Sequence, residues 1–143
     1  MIPGGAVPCV VTSEWLSEHG AAVIVEGELD LDTAPLLATE IDRQILEGHL
    51  HLVVDLTGAS FLDSTSMAAL LRSIRPLCDE PRAAVVIAGA GGVVARSLKT
   101  SGIDQLFTMF GTREEAVRGL EAGTGLREGW RGVRARNRDA LEP

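Results

Sequence analysis

The 143-residue chain is 45 % apolar and 23 % charged, enough for one self-sufficient domain. Its 20 acidic and 13 basic side chains leave a net charge of −7, which excludes a surface built to neutralise nucleic-acid phosphates. Two cysteines exclude a disulfide scaffold, and 3 % aromatic residues with no Tyr exclude a stacking platform for bases or sugars.

Met1 to Val11 has neither the basic start nor the apolar run of a signal peptide. The longest uncharged apolar stretch, Ala83 to Ala95, stops between Arg82 and Arg96, short of the roughly 20 residues that span a bilayer. A soluble, cytoplasmic protein without direct membrane insertion is expected.

Pro8 to Ser13 reads as a first strand, and His19-Gly20 as a turn into a second at Ala21 to Glu26. Thr33 is placed to cap a first helix, with Pro35 in its first turn and Leu37, Ile41 and Ile45 on one face. Gly48 ends it. Leu50 to Leu56 is a third strand whose near-continuous apolar run, Leu52-Val53-Val54, predicts cover on both faces. Thr57 to Leu62 reads as a loop. Asp63 caps a second helix carrying Met67, Leu70, Leu71, Ile74 and Cys78 inward, which Pro76 kinks or ends. A fourth strand spans Ala83 to Ala88. A short helix with Val93, Val94 and Leu98 stops at Gly102, and Leu106 to Met109 is a fifth strand. Thr112 and Glu115 form a capping box for a last helix ending near Ala122.

The fold class expected is α/β. A single domain at 1–122 has a mostly parallel five-stranded sheet, an N-terminal edge strand and about four helices. Residues 123–143 hold five arginines, Arg127, Arg131, Arg134, Arg136 and Arg138, against three acidic residues. They read as a flexible Arg-rich tail.

Catalytic chemistry finds little support. His19, His49 and His51 fall in a turn or at a strand start, away from the strand ends where α/β active sites gather, and read as solvated surface residues. Cys9 and Cys78 are isolated, so no metal site is expected; buried thiols are commonly plain apolar groups, although a redox role for either stays open. Gly89-Ala90-Gly91-Gly92 lies between a strand and a helix, but Val94 stands where a dinucleotide fingerprint needs Gly and no P-loop Lys follows. A tight turn is the better reading; a nucleotide-binding protein or enzyme is the competing one.

The strongest local feature is Phe61-Leu62-Asp63-Ser64-Thr65-Ser66-Met67. Three hydroxyls stand at a helix start, where free N–H groups favour anions. A phosphate there would add about −1.5 to −2 charges. The plain alternative is helix capping.

Several ordered motifs over roughly residues 5–122 resemble the anti-sigma factor antagonists, the STAS domains of bacterial partner-switching systems. Gly27-Glu28-Leu29-Asp30 matches the family's motif after its second strand, and Thr33-Ala34-Pro35-Leu36 resembles the start of its first helix. Asp55-Leu56-Thr57-Gly58 through Phe61-Leu62-Asp63-Ser64-Thr65 is similar to its signature before the second helix, and Val94-Ala95-Arg96 through Thr100-Ser101-Gly102-Ile103 to its third-helix pattern. The resemblance implies a non-enzymatic regulator without cofactor, metal or catalytic residue. Its partner would be an anti-sigma factor with serine kinase activity. Ser64 is the implied phosphorylation site, with Thr65 and Ser66 as secondary candidates. Asp30, Asp63, Ser64 and Thr65 are the implied partner-binding residues. Unphosphorylated protein would bind the kinase and free a sigma factor, and phosphorylation would release it, the chain itself being a monomer or weak dimer. One position departs, since Ser66 stands where the family has Gly. That leaves the alternative of a non-phosphorylated STAS adaptor in a sensory or lipid-transport assembly.

Overall fold

Alternation along the strands divides the core into two layers. The computed structural model describes residues 9–89 and 91–123. Its sheet runs β1 (Val10–Ser17), β2 (Gly20–Leu29), β3 (His51–Leu62), β4 (Ala84–Ala88) and β5 (Thr108–Phe110), in that spatial order. β1 and β2 are antiparallel and every later pair is parallel, so the expected architecture and N-terminal edge strand are observed. Helices α1 (Ala34–Leu46), α2 (Ser64–Ile74) and α3 (Gly92–Thr100) are the crossovers, and α4 (Arg113–Glu121) follows the last strand.

Parallel crossovers are right-handed. Strands added in one direction therefore lay their helices on one face. There Val23, Leu52, Val54 and Ile87 meet Leu37, Ile41, Leu70 and Leu98. With no further strand to reach, α4 folds onto the opposite face, where Ala116 and Leu120 pack on Val53, Val86 and Ala88. Successive β3 residues thus enter different cores, as its continuous apolar run predicts.

Four local expectations are corrected. Thr57 to Leu62 is strand, not loop: β2 extends to Leu29 and gives β3 a partner, from Glu26 opposite Gly58 to Leu29 opposite Leu62. β1 runs on to Ser17, beyond the expected end at Ser13. Thr33 makes no side-chain cap to α1; its hydroxyl accepts from the Asp30 N–H at 2.8 Å and lies 3.0 Å from Glu28 O. His49 is not solvated but 7 % exposed, its Nδ1 2.6 Å from Gln44 Oε1. His19 is exposed and His51 half-buried.

α2 ends at Ile74 and tightens into a 3-10 turn at Arg75–Asp79, because Pro76 has no N–H to continue the ladder. Pro8, Ala90 and the tail beyond Gly123 lie outside the described residues.

Candidate functional site

Strands β2 and β3 end level with each other, Leu29 pairing with Leu62. Asp30 and Asp63, the next residue of each strand, therefore leave the sheet together at its C-terminal edge. That edge is where open α/β sheets carry their sites.

Each aspartate turns its chain into a helix. Asp30 Oδ1 accepts from the N–H groups of Asp32 at 3.0 Å and Thr33 at 3.1 Å. Asp63 caps α2, accepting from the Ser66 N–H at 2.8 Å. Burial works to raise the Asp63 pKa, but hydrogen bonds from Ser66 and from the Thr65 N–H outweigh it and hold it below the ordinary aspartate value. The cap is anionic at neutral pH.

The three hydroxyls that follow have different fates. Ser64 is exposed and Thr65 half-buried. Ser66 is 0 % exposed, its Oγ 2.6 Å from Leu29 O and 2.8 Å from Asp63 Oδ1. Ser66 thus binds the first turn of α2 to the end of β2, and Ser64 is the most exposed residue of the three.

Sequence reasoning missed the apolar groups at this edge. Leu31 is 68 % exposed, Leu36 47 % and Phe61 39 %. Leu31 follows Asp30, Leu36 sits in the first turn of α1, and Phe61 is the residue before the last of β3. The signal was available in Glu28-Leu29-Asp30-Leu31-Asp32, where apolar residues alternate with acids and Leu29 takes the core. The edge therefore combines exposed apolar side chains with acidic ones around Ser64. It also borders a groove against α3, lined there by Arg96, Ser97 and Thr100.

The other candidates stay apart from this edge or carry no chemistry. Burial pushes the Cys9 thiol pKa up, and the Asp30 charge adds to that against a hydrogen bond with Thr33; a protonated thiol is a poor nucleophile. Cys78 Sγ lies 3.8 Å from Ile74 O. Gly92 has φ +67, which accounts for glycine at this turn. No group of three or more His, Cys, Asp or Glu side chains is placed to hold a metal ion among the described residues, and no described helix is long and apolar enough to cross a membrane.

The model for the STAS domain matches residues 17–116. The anti-sigma-F factor antagonist RsfB of Mycobacterium tuberculosis is 29 % identical over 119 residues, 82 % of this chain and 96 % of that protein. An anti-sigma factor antagonist from Mycobacterium paratuberculosis has a similar structure, with a TM-score of 0.72 at 24 % identity, over 81 % of this chain and 98 % of that one. The Bacillus protein SpoIIAA, an anti-sigma factor antagonist solved unphosphorylated and phosphorylated, gives TM-scores of 0.68 and 0.59. The two structures are 19 % and 18 % identical to this chain, over 79 % and 76 % of it and 97 % of each of theirs.

Proposed function

The chain belongs to the STAS domain family, and from that premise we propose that it is a non-enzymatic anti-sigma factor antagonist switched by phosphorylation of Ser64. The observation that carries this reading is an exposed Ser64 directly after the anionic Asp63 cap, at the sheet edge that also leaves Leu31 and Phe61 uncovered. In the unphosphorylated state the apolar groups dock on an anti-sigma factor, while Asp30 and Asp63 complement basic side chains on it. The captured factor then no longer holds its sigma factor.

The partner acts as kinase. The Ser64 Oγ–H bond is replaced by an Oγ–P bond. The γ-phosphoryl group comes from a nucleoside triphosphate bound to the partner, where the diphosphate remains, and the hydroxyl proton passes to a base there. The new phosphate adds about −1.5 to −2 charges at a contact that already holds Asp63. Binding is lost by repulsion and by the cost of desolvating the new charge.

The test is a pull-down from host lysate with the wild type, Ser64→Ala and Ser64→Asp, read by mass spectrometry. Wild type and Ser64→Ala should retain an anti-sigma kinase that Ser64→Asp loses, and adding ATP should place phosphate on Ser64 of the wild type. Equal retention of one partner by all three variants, with no phosphate, would leave Ser64 as a helix residue and make the chain a non-phosphorylated adaptor. Ser64→Asp should not lower thermal stability, because an acidic group in the first turn suits the helix dipole.

A further inference from the structure

Helices α2 and α3 face each other across a groove of about 380 Å³. Asp63, Ser64 and Met67 line one wall, and Arg96, Ser97 and Thr100 line the other. Met67 is almost buried, while Ser64 and Arg96, on opposite helices, are exposed. Arg96 is the one cation among the lining residues. It makes no hydrogen bond or ion pair with any described residue, whereas Arg43, Arg82 and Arg113 each hold a carboxylate.

A phosphate on Ser64 has few places to go. The Ser66 N–H, which a phosphate at the start of α2 would otherwise use, is already taken by the Asp63 carboxylate. That carboxylate also repels the phosphate from its own wall. The other wall carries Arg96, whose guanidinium has paired donors matched to phosphate oxygens, and the hydroxyl-bearing Ser97 and Thr100. The same Asp63 charge weakens binding of a free anion, so the groove suits a phosphate that is covalently tethered.

We propose that this groove is an intramolecular docking site for the phosphoryl group carried by Ser64, with Arg96 as its counter-ion. The proposal rests on the reading of Ser64 as the acceptor and adds where the phosphate is held. Docked there, it is partly neutralised and shielded, so the phosphorylated state resists nonspecific phosphatases.

The test uses the full chain with phosphoserine installed at position 64 by genetic-code expansion, so that no partner is needed. The phosphate is titrated by ³¹P NMR at low salt in the otherwise wild-type chain, Arg96→Gln, Arg96→Lys and Lys99→Gln. Folding of each is checked by circular dichroism. Lys99 lies on the same helix but does not line the groove, so its removal controls for net charge. The second phosphate ionisation should move up by at least about half a pH unit in Arg96→Gln. Arg96→Lys should fall between, and Lys99→Gln should match the wild type. Alkaline phosphatase should remove the phosphate several-fold faster from Arg96→Gln. Coincident titrations for wild type and Arg96→Gln, or an equal shift in Lys99→Gln, would overturn the proposal. Neither result bears on partner release, which the lysate experiment reads separately; failure of that experiment would leave this titration intact.

Discussion

Ser66 donates its hydroxyl to the Leu29 carbonyl at 2.6 Å, across 37 residues of chain. This bond closes the angle between the end of β2 and the start of α2, the two segments that carry Asp30 and Ser64. Ser66→Ala leaves a buried carbonyl unpaired and should cost about 1–2 kcal/mol. Ser66→Gly, which installs the residue of the resembling family, should cost about 1 kcal/mol more through helix propensity. Urea unfolding monitored by circular dichroism reads both. Midpoints equal to the wild type would mean that the carbonyl finds another donor.

Asp63 gives a pH dependence of definite sign. Its pKa is lowered in the folded state: burial opposes this, and hydrogen bonds from Ser66 and Thr65 prevail. A depressed carboxylate contributes stability that is fully present above its unfolded value, near about 4, and is lost as the pH falls through the lower folded value. Asp63→Asn keeps a side-chain cap but not the charge. Wild type should exceed Asp63→Asn in stability at pH 7, and the gap should narrow steadily in acid. Asp63→Ala should lose about 1 kcal/mol at neutral pH through the missing cap. A gap that stays constant down to pH 2 would show that the charge contributes nothing.

Most of this fold could be read in the sequence because its signals are local. The doubly covered β3, the caps at Asp63 and Thr112, and the 3-10 turn at Pro76 depend on a few neighbouring residues. The errors come from pairings that the local pattern does not announce, whether the partner is near in the chain or far. Thr57 to Leu62 becomes strand because β2 extends beside it. His49 is buried because Gln44, its partner, is drawn inward on α1. At the site, the Asp63-Ser64-Thr65-Ser66 run was visible, but which hydroxyl is buried follows from the position of Leu29. Arg96 could be placed opposite Ser64 only once α3 was set beside α2.

Asp55 on β3 is 1 % exposed and meets Arg113 of α4, Nε to Oδ2, at 2.6 Å. Arg113 also reaches Glu14 of β1 at 2.9 Å, so one guanidinium ties the last helix to two strands. The Thr57 N–H and hydroxyl, at 2.9 and 2.6 Å, satisfy the other oxygen of Asp55 but do not neutralise it. Arg113→Met strands a buried charge and should cost about 2–4 kcal/mol, somewhat below a fully enclosed pair because Arg113 stays one-third exposed. Arg82→Met breaks an exposed pair with Glu80 and should barely move the unfolding midpoint. Similar losses for the two variants would refute this account of α4 docking.

Gly119 reverses the usual rule for a glycine inside a helix. Replacement by Ala normally stabilises by roughly 1 kcal/mol, and Gly119 lies within α4. A Cβ built there would overlap Cζ of Phe110 on β5 and lie 2.8 Å from two further ring carbons. The Phe110 ring lies over the backbone of α4 where any side chain would stand, and it packs against the cluster of Val53, Val86 and Ala116. Gly119→Ala must expel that ring or lift the helix, and overpacking of this kind costs about 1–3 kcal/mol. The net effect should be destabilising. The double variant Gly119→Ala/Phe110→Leu should recover part of the loss, because a smaller side chain vacates the contact. A rise in thermal midpoint for Gly119→Ala alone would mean that the ring swings clear at no cost.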